Sequence, residues 1–297
     1  MNYLCIDIGG TSIKYALFNK EGEKVTDVMK TPTIKDEISN QILQTVLNLV
    51  GKYQDKIEGV AISSAGVVNS EGSIAYAGYT IPGYTGTEIK KEVEKKYNIP
   101  CEVENDVNCA CLGEVWKGSA QNASSVVMLT VGTGVGGAVY LNNQLWTGIN
   151  FTAGEIGYMY IRGKYFQDLA STTALLENYE KRTNEKIDGE VLFERAKSGD
   201  FNAVESIHEQ ISNLAEGLVN ICYLMNPEKI VIGGGIMAQK EYIMPILENY
   251  LEIKIVDKRF LQTRIESATL DNDAGMLGAL YHFLQKGRKI NDNFRKN

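Results

Sequence analysis

Apolar residues along this chain fall into two rhythms, and the switches between them outline its elements. Short apolar runs bounded by glycine or polar turns ("YLCIDI", "SIKYALFN", "IEGVAISS") predict buried strands, and "EKVTDVMKT" predicts another after the turn "NKEG". From Asp36 the spacing of Ile38, Ile42, Val46 and Leu49 or Val50 fits one face of a helix ending at Gly51. "TEIKKEVEKKYN" predicts a charged helix with Ile89 and Val93 inward, stopped before Pro100, and "CEVE" a short strand feeding the helical "DVNCACLGEVWKG". The pattern then restarts. "SSVVMLTV" and "AVYLNNQLW" read as strands joined by "GTGVGG", the second folding back at a two-residue Asn-Asn turn. Ile207, Ile211, Leu214, Leu218, Ile221 and Met225 mark a long helix closed by Pro227. "KIVIGGGIM" is a strand running into three glycines, and "AGMLGALYHFL" a final amphipathic helix.

Twice, then, the chain runs strand, glycine–threonine turn, strand: "IDIGGTSIKYALF" and "LTVGTGVGGAVYL". No low-complexity linker separates the halves, so two α/β domains sharing a cleft are expected, a ligand at their junction being held by both turns.

Composition narrows the function classes. The 297 residues are 44% hydrophobic and 23% charged, which suits a water-soluble fold with an ample core. A net charge of −7 argues against a nucleic-acid partner or an anionic membrane, both of which need a basic surface. The basic end "KGRKINDNFRKN" reads as a solvated, frayed tail. Five cysteines, mostly within apolar stretches, read as free buried thiols, and Cys109-x-Cys111 has no further ligand at metal-binding spacing. Two histidines in the whole chain make a His-rich zinc site or a Ser-His-Asp triad hard to build. No signal peptide or spanning apolar run is evident, and a cytoplasmic protein is expected.

Glycine turns let backbone N–H groups approach an anion, and Thr11 and Thr133 each add a hydroxyl donor. Each turn alone could be a tight hairpin; two of like design, with Gly233-Gly234-Gly235 after a third strand, point to a polyphosphate. The G-x-x-x-x-G-K-[ST] loop is absent. Gly132-x-Gly134-x-x-Gly137 matches a dinucleotide fingerprint, but a strand follows where that motif needs a helix, so a nicotinamide-dependent oxidoreductase stays the weaker alternative. Asp106 lies where a strand meets a helix. An N-cap is the ordinary role there, while phosphoryl transfer needs a carboxylate that accepts the attacking hydroxyl's proton. Asp7, at the end of a buried strand, suits Mg²⁺ held through water.

Five segments in order ("IDIGGTSIKYALF", "ENDVNCACLGE", "LTVGTGVGGAVY", "GEIGYM" and "IVIGGGI") resemble the ROK family of repressors, open reading frames and sugar kinases across essentially the whole chain. The resemblance implies an α/β fold of two actin-like (ribonuclease H-like) ATPase domains flanking a cleft. The expected division is residues 1–107 with 276–297, a smaller N-terminal domain to which the C-terminal helix returns, and 108–275, a larger one. It implies ATP as cofactor, with Asp7, Gly9, Gly10 and Thr11 as the first phosphate motif and Gly132, Thr133 and Gly134 as the second. Gly234 and Gly235 match the adenosine-lining stretch. Asp106 matches the catalytic base, Asn105 and Glu155 the sugar-binding residues, and Gly83 a loop closing over the sugar. Repressor members carry a DNA-binding module ahead of the first glycine motif, and Asp7 near the start here favours the kinase reading.

Departures from the family pattern bear on specificity. Tyr158 stands where a histidine serves as zinc ligand and sugar contact, and "IRGKYFQD" replaces the cysteine-rich zinc loop, so no zinc site is expected. Gln167, with Asp168 beside it, stands near the family's second sugar-binding glutamate. Fewer polar groups at the anomeric end, with aromatic faces in their place, imply tolerance of a sugar substituted at C1. The resemblance is greatest to β-glucoside kinases acting on the 6-hydroxyl of a glucoside such as cellobiose. Glucokinase and N-acetylmannosamine kinase are alternatives within the family, and a non-catalytic sugar-sensing regulator is one outside catalysis. A homodimer is expected.

Overall fold

Strand β1 (Asn2–Ile8) pairs residue for residue with β2 (Ser12–Asn19), an antiparallel hairpin closed at Gly9–Thr11. The computed structural model describes residues 2–35, 40–78 and 81–295, with side chains through 287. β3 is only Met29–Pro32, shorter than the run that "EKVTDVMKT" predicts; from Lys24 onward that run is largely exposed and contributes a single bridge, Phe18 to Lys24. Helix α1 (Gln41–Tyr53) is capped by Asn40, whose Oδ1 accepts from Leu43 N at 3.2 Å. It buries Ile42, Val46 and Val50 as the spacing requires, and runs through Gly51, since one interior glycine costs only ~1 kcal/mol. Asp36 and Ile38 lie outside the described residues.

Next come β4 (Gly59–Ser64), a small hairpin of β5 (Val67–Val68) and β6 (Ile74–Tyr76), α2 (Ile89–Tyr97), β7 (Cys101–Asn105) and α3 (Asp106–Lys117). The resulting sheet has the order β3-β2-β1-β4-β7, with β1, β4 and β7 parallel. β4 is buried at all six positions, as expected of a parallel strand covered on both faces. Its Ile62 forms one core with Leu4, Ile6, Val46 and Val93, each buried aliphatic contributing about 1.5–3 kcal/mol.

The second half repeats the plan. β8 (Ser125–Val131) and β9 (Val135–Leu141) form a hairpin around Gly132–Gly134, and Asn142 and Asn143, both at positive φ, turn the chain into β10 (Gln144–Leu145). A short hairpin, β11 (Tyr160–Ile161) with β12 (Lys164–Tyr165), leads to α4 (Gln167–Ala170), α5 (Thr172–Thr183), α6 (Gly189–Lys197) and the 25-residue α7 (Phe201–Met225). β13 (Lys229–Gly233), α8 (Lys240–Lys254) and β14 (Arg264–Ser267) complete a sheet ordered β10-β9-β8-β13-β14, with β8, β13 and β14 parallel. Leu129, Ile232, Leu214, Leu218 and Leu247 belong to its core. The chain ends in α9 (Ala274–Arg295), so the basic segment expected to fray continues the helix to Arg295.

The chain divides into two compact units, residues 1–121 with 147–152 and 272–297, and residues 122–146 with 153–271. The first takes in α3 whole because α3 packs on α9: Trp116 stacks on Tyr281 with ring centroids 5.3 Å apart, and a Cβ on Gly278 would lie 1.6 Å from the Cys109 carbonyl oxygen. Among the described residues, no helix is long and apolar enough to cross a membrane. All five cysteines are free and buried.

Candidate functional site

In the first unit, Asn105 rather than Asp106 takes the capping role. Asn105 is the N-cap of α3, its Oδ1 accepting from Val107 N at 2.9 Å and Asn108 N at 3.0 Å. Its Nδ2 donates to the Gly66 carbonyl at 2.9 Å and to Asp106 Oδ1 at 3.0 Å. Asp106 is the first helical residue, half-buried, with Oδ1 also accepting from Val107 N at 2.9 Å. The carboxylate is therefore oriented from two sides and sits at a helix N-terminus, whose backbone dipoles attract negative charge.

Glu104 supports this corner, a residue that sequence reading passed over as part of a short strand. It is buried, and its Oε1 accepts from Asn105 N at 2.8 Å and Asn108 Nδ2 at 3.0 Å, while His282 Nδ1 on α9 lies 3.9 Å from Oε2. Burial raises its carboxyl above the usual range, opposed by the Asn108 and Asn105 hydrogen bonds and by the charge of Lys286. The signal available beforehand was a charged residue in the apolar half of a parallel strand. Because the folded state holds this proton more tightly than the unfolded chain, the group's stability contribution is complete below the unfolded carboxylate value and is lost as pH rises toward the folded one. Gln at 104 keeps an acceptor for both donors and has no charge to bury. Urea unfolding should therefore show the stability of Glu104→Gln, relative to the parent, improving from about pH 4 to about pH 8. A difference that is flat or moves the other way contradicts this.

Asp7 is the penultimate residue of β1, just before the glycine turn. Its Oδ1 accepts from Ser63 Oγ at 2.7 Å, and burial raises its carboxyl while Ser63 and Lys14 oppose the rise. The first turn of α9 passes close by, a Cβ on Gly275 falling 3.0 Å from Asp7 Oδ1. Gly9 N donates to Ser12 O at 3.1 Å, Gly10 has open space beside it, and Thr11 is exposed. Gly83 is exposed at φ 71°, next to Tyr84, which is buried with its hydroxyl 2.7 Å from Ser64 Oγ. Tyr79 and Thr80 of the same loop lie outside the described residues.

In the second unit, the Gly132–Gly134 turn closes with Gly132 N donating to Gly134 O at 3.0 Å, and Thr133 is exposed. Glu155 is placed by backbone crowding, not by flexibility. Gly154, at φ 101°, lies so close to β9 that a Cβ on it, or on Gly137, would come within 2.6 Å of the other's carbonyl oxygen. Glu155 thereby stands at the edge of β9, exposed, with partial desolvation raising its carboxyl. Gln167 and Asp168 part company: Asp168 is exposed, whereas Gln167 Oε1 lies against the glycine turn, 2.9 Å from where a Gly134 Cβ would be. Gly234, at φ 92°, presses on the Val131 backbone at the end of β8, and Gly234 and Gly235 are exposed. The aromatic run splits too. Phe166 is the buried filler, with the aliphatic Ile161, while Tyr158, Tyr160 and Tyr165 face outward, at 57%, 73% and 49% exposure.

Comparison with known proteins agrees with this architecture. A beta-glucoside kinase of Listeria monocytogenes is 33% identical, over 96% of this chain and 98% of its own. An uncharacterized protein of Clostridium perfringens is 42% identical, over 97% of this chain and 99% of its own. A solved ROK family protein from Streptococcus pneumoniae in complex with sucrose has a TM-score of 0.86 at 28% identity, over 97% of this chain and 100% of that one. The two like-ordered five-stranded sheets are those of the actin-like ATPase fold. The family model described as "ROK family" matches residues 3–286, and with relatives above 30% identity along their full length, the chain belongs to the ROK family.

Proposed function

We propose that this protein is an ATP-dependent carbohydrate kinase that phosphorylates the primary 6-hydroxyl of a hexose or β-glucoside such as cellobiose. The observation that carries the reading is the Asn105–Asp106 corner, a carboxylate oriented by a side-chain amide and a backbone N–H at the start of a helix. Asp106 takes the proton of the attacking hydroxyl and Glu155 holds sugar hydroxyls, while Asn105, its amide already spent on Val107 N, Asn108 N, the Gly66 carbonyl and Asp106, serves by holding that carboxylate in place. The Gly9–Thr11 and Gly132–Gly134 turns offer backbone N–H groups and two threonine hydroxyls to phosphate oxygens, and Gly234 and Gly235 leave a surface without side chains for the adenosine.

Mg²⁺ fits this donor set as an ion carried by the nucleotide. Among the described residues no cluster of three acidic, His or Cys side chains forms a cage, and Asp7, already engaged by Ser63, suits a water-mediated contact. Bound there, it would offset phosphate charge. The β-glucoside preference is supported by the Listeria relative, named a beta-glucoside kinase, and room for a substituent at C1 by the sucrose held by the Streptococcus relative and by Tyr158 three residues after Glu155. A coupled ADP-release assay over glucose, N-acetylmannosamine, N-acetylglucosamine, fructose and cellobiose tests the proposal. Turnover with ATP on cellobiose above that on free hexoses is the expected result. Sugar binding without transfer from any nucleotide would instead favour a sensor.

A further inference from the structure

The three outward tyrosines form a connected set. Tyr158 and Tyr165 meet edge to face with centroids 5.9 Å apart at 88°, and Tyr165 meets Tyr160 at 5.9 Å and 75°. Tyr165 is thus the central ring. The hairpin that carries it is held from below: Phe166 N donates to Met159 O at 2.8 Å, and Ile161 and Phe166 are buried in the unit's core. The rings are therefore mounted on an anchored β-turn, so their mutual positions cost little further ordering on binding.

Isolated exposed tyrosines are ordinary, but three in edge-to-face contact, two of them paired across one anchored hairpin, make an aromatic patch suited to burial against a ring-shaped partner. Their place in the chain says what. Tyr158 closes the single 3₁₀ turn that begins after Glu155, its N–H donating to the Glu155 carbonyl at 3.2 Å, so the patch starts within one turn of the proposed sugar-hydroxyl ligand. Arg162, at the tip of the hairpin, is engaged by Glu216 and Asn213. An aromatic surface one turn from the carboxylate proposed to bind sugar hydroxyls matches a pyranose, which has apolar C–H faces and a hydroxylated edge.

We infer that Tyr158, Tyr165 and Tyr160 form a second subsite, a stacking platform for the ring attached at C1 of a β-glucoside, whether the second pyranose of a disaccharide or an aryl aglycone. The inference rests on the glucoside-kinase reading and extends it from tolerance of a C1 substituent to active recognition of a ring there. Tyr165, not the residue beside Glu155, holds the platform together.

The test compares three acceptors that share one reactive glucose: methyl β-glucoside, cellobiose and phenyl β-glucoside. For Tyr165→Ala, KM for the two ring-bearing glucosides should rise about tenfold while kcat and the methyl β-glucoside KM stay put. Tyr165→Phe should restore parental KM for phenyl β-glucoside, and Tyr160→Ala should give a smaller rise of the same kind. An unchanged KM ratio between cellobiose and methyl β-glucoside in Tyr165→Ala would sink the platform. So would an equal rise for all three acceptors. If the parent protein phosphorylates hexoses but none of the three glucosides, the glucoside-kinase reading itself fails, an outcome visible before any variant is made.

Discussion

Asp106→Asn is expected to lower kcat by roughly 10²–10⁴ and to leave nucleotide affinity nearly unchanged, the size being that of a lost general base. The substitution is informative because the corner around it does not depend on the charge. Asn105 caps α3, and an amide oxygen at 106 can still accept from Val107 N and Asn105 Nδ2. The structural cost is limited to the favourable charge–dipole interaction at the helix start, about 0.3–1 kcal/mol. Steady-state rates with calorimetric titration of ATP separate the two effects. Full activity in Asp106→Asn would show that another group takes the proton. Weakened ATP binding would show instead that the corner had collapsed.

Gly278→Ala should lower the melting temperature by about 5–10 °C, the largest stability effect we expect from a single added methyl. A Cβ at 278 would meet the Cys109 carbonyl oxygen at 1.6 Å and its carbon at 2.4 Å, backbone atoms that no rotamer change can move. The same crossing is tight on the other helix, where a Cβ on Gly113 would be 2.5 Å from Ala274 O. Relief requires α3 and α9 to separate, and α3 is the helix that begins at Asp106. Activity should therefore fall along with stability. Gly287→Ala, in the same helix with nothing within 4 Å of the added methyl, is the control and should be neutral or slightly stabilising. Thermal melts of the two variants that coincide would refute the close-crossing argument.

Much of the architecture was legible from periodicity because burial and local propensity agreed. Ile89 and Val93, Ile207 through Ile221, and the continuously buried β4 each appear where the pattern puts them. The Asn-Asn turn was equally readable, since two adjacent residues tolerant of positive φ between strands suit few other conformations. Less legible was the stretch from Thr172 to Lys197, two helices whose few buried residues, such as Leu175, Tyr179, Leu192 and Phe193, leave a weak stripe. β3 and the chain's end misled for the opposite reason: β-branched residues suggested a long strand and charge suggested a tail, yet β3 is four residues and α9 reaches Arg295.

The candidate site divides along the same line. By itself the sequence determined which chemistry was available, because carboxylates after buried strands and paired glycine–threonine turns are costly to keep without use, and because five motifs stand in order. It could not assign the cap to Asn105 and the first helical position to Asp106, since both residue types cap helices equally well and only the hydrogen bonds tell them apart. Nor could it separate Gln167 from Asp168, one residue apart on a short helix, or bring Glu104 beneath the corner with His282 from the far end of the chain. Those are contacts between atoms remote in sequence or orientations about a single turn. Such choices are made by packing, where the crowding of Gly137 on Gly154 and of Gly278 on Cys109 leaves the backbone one place to go.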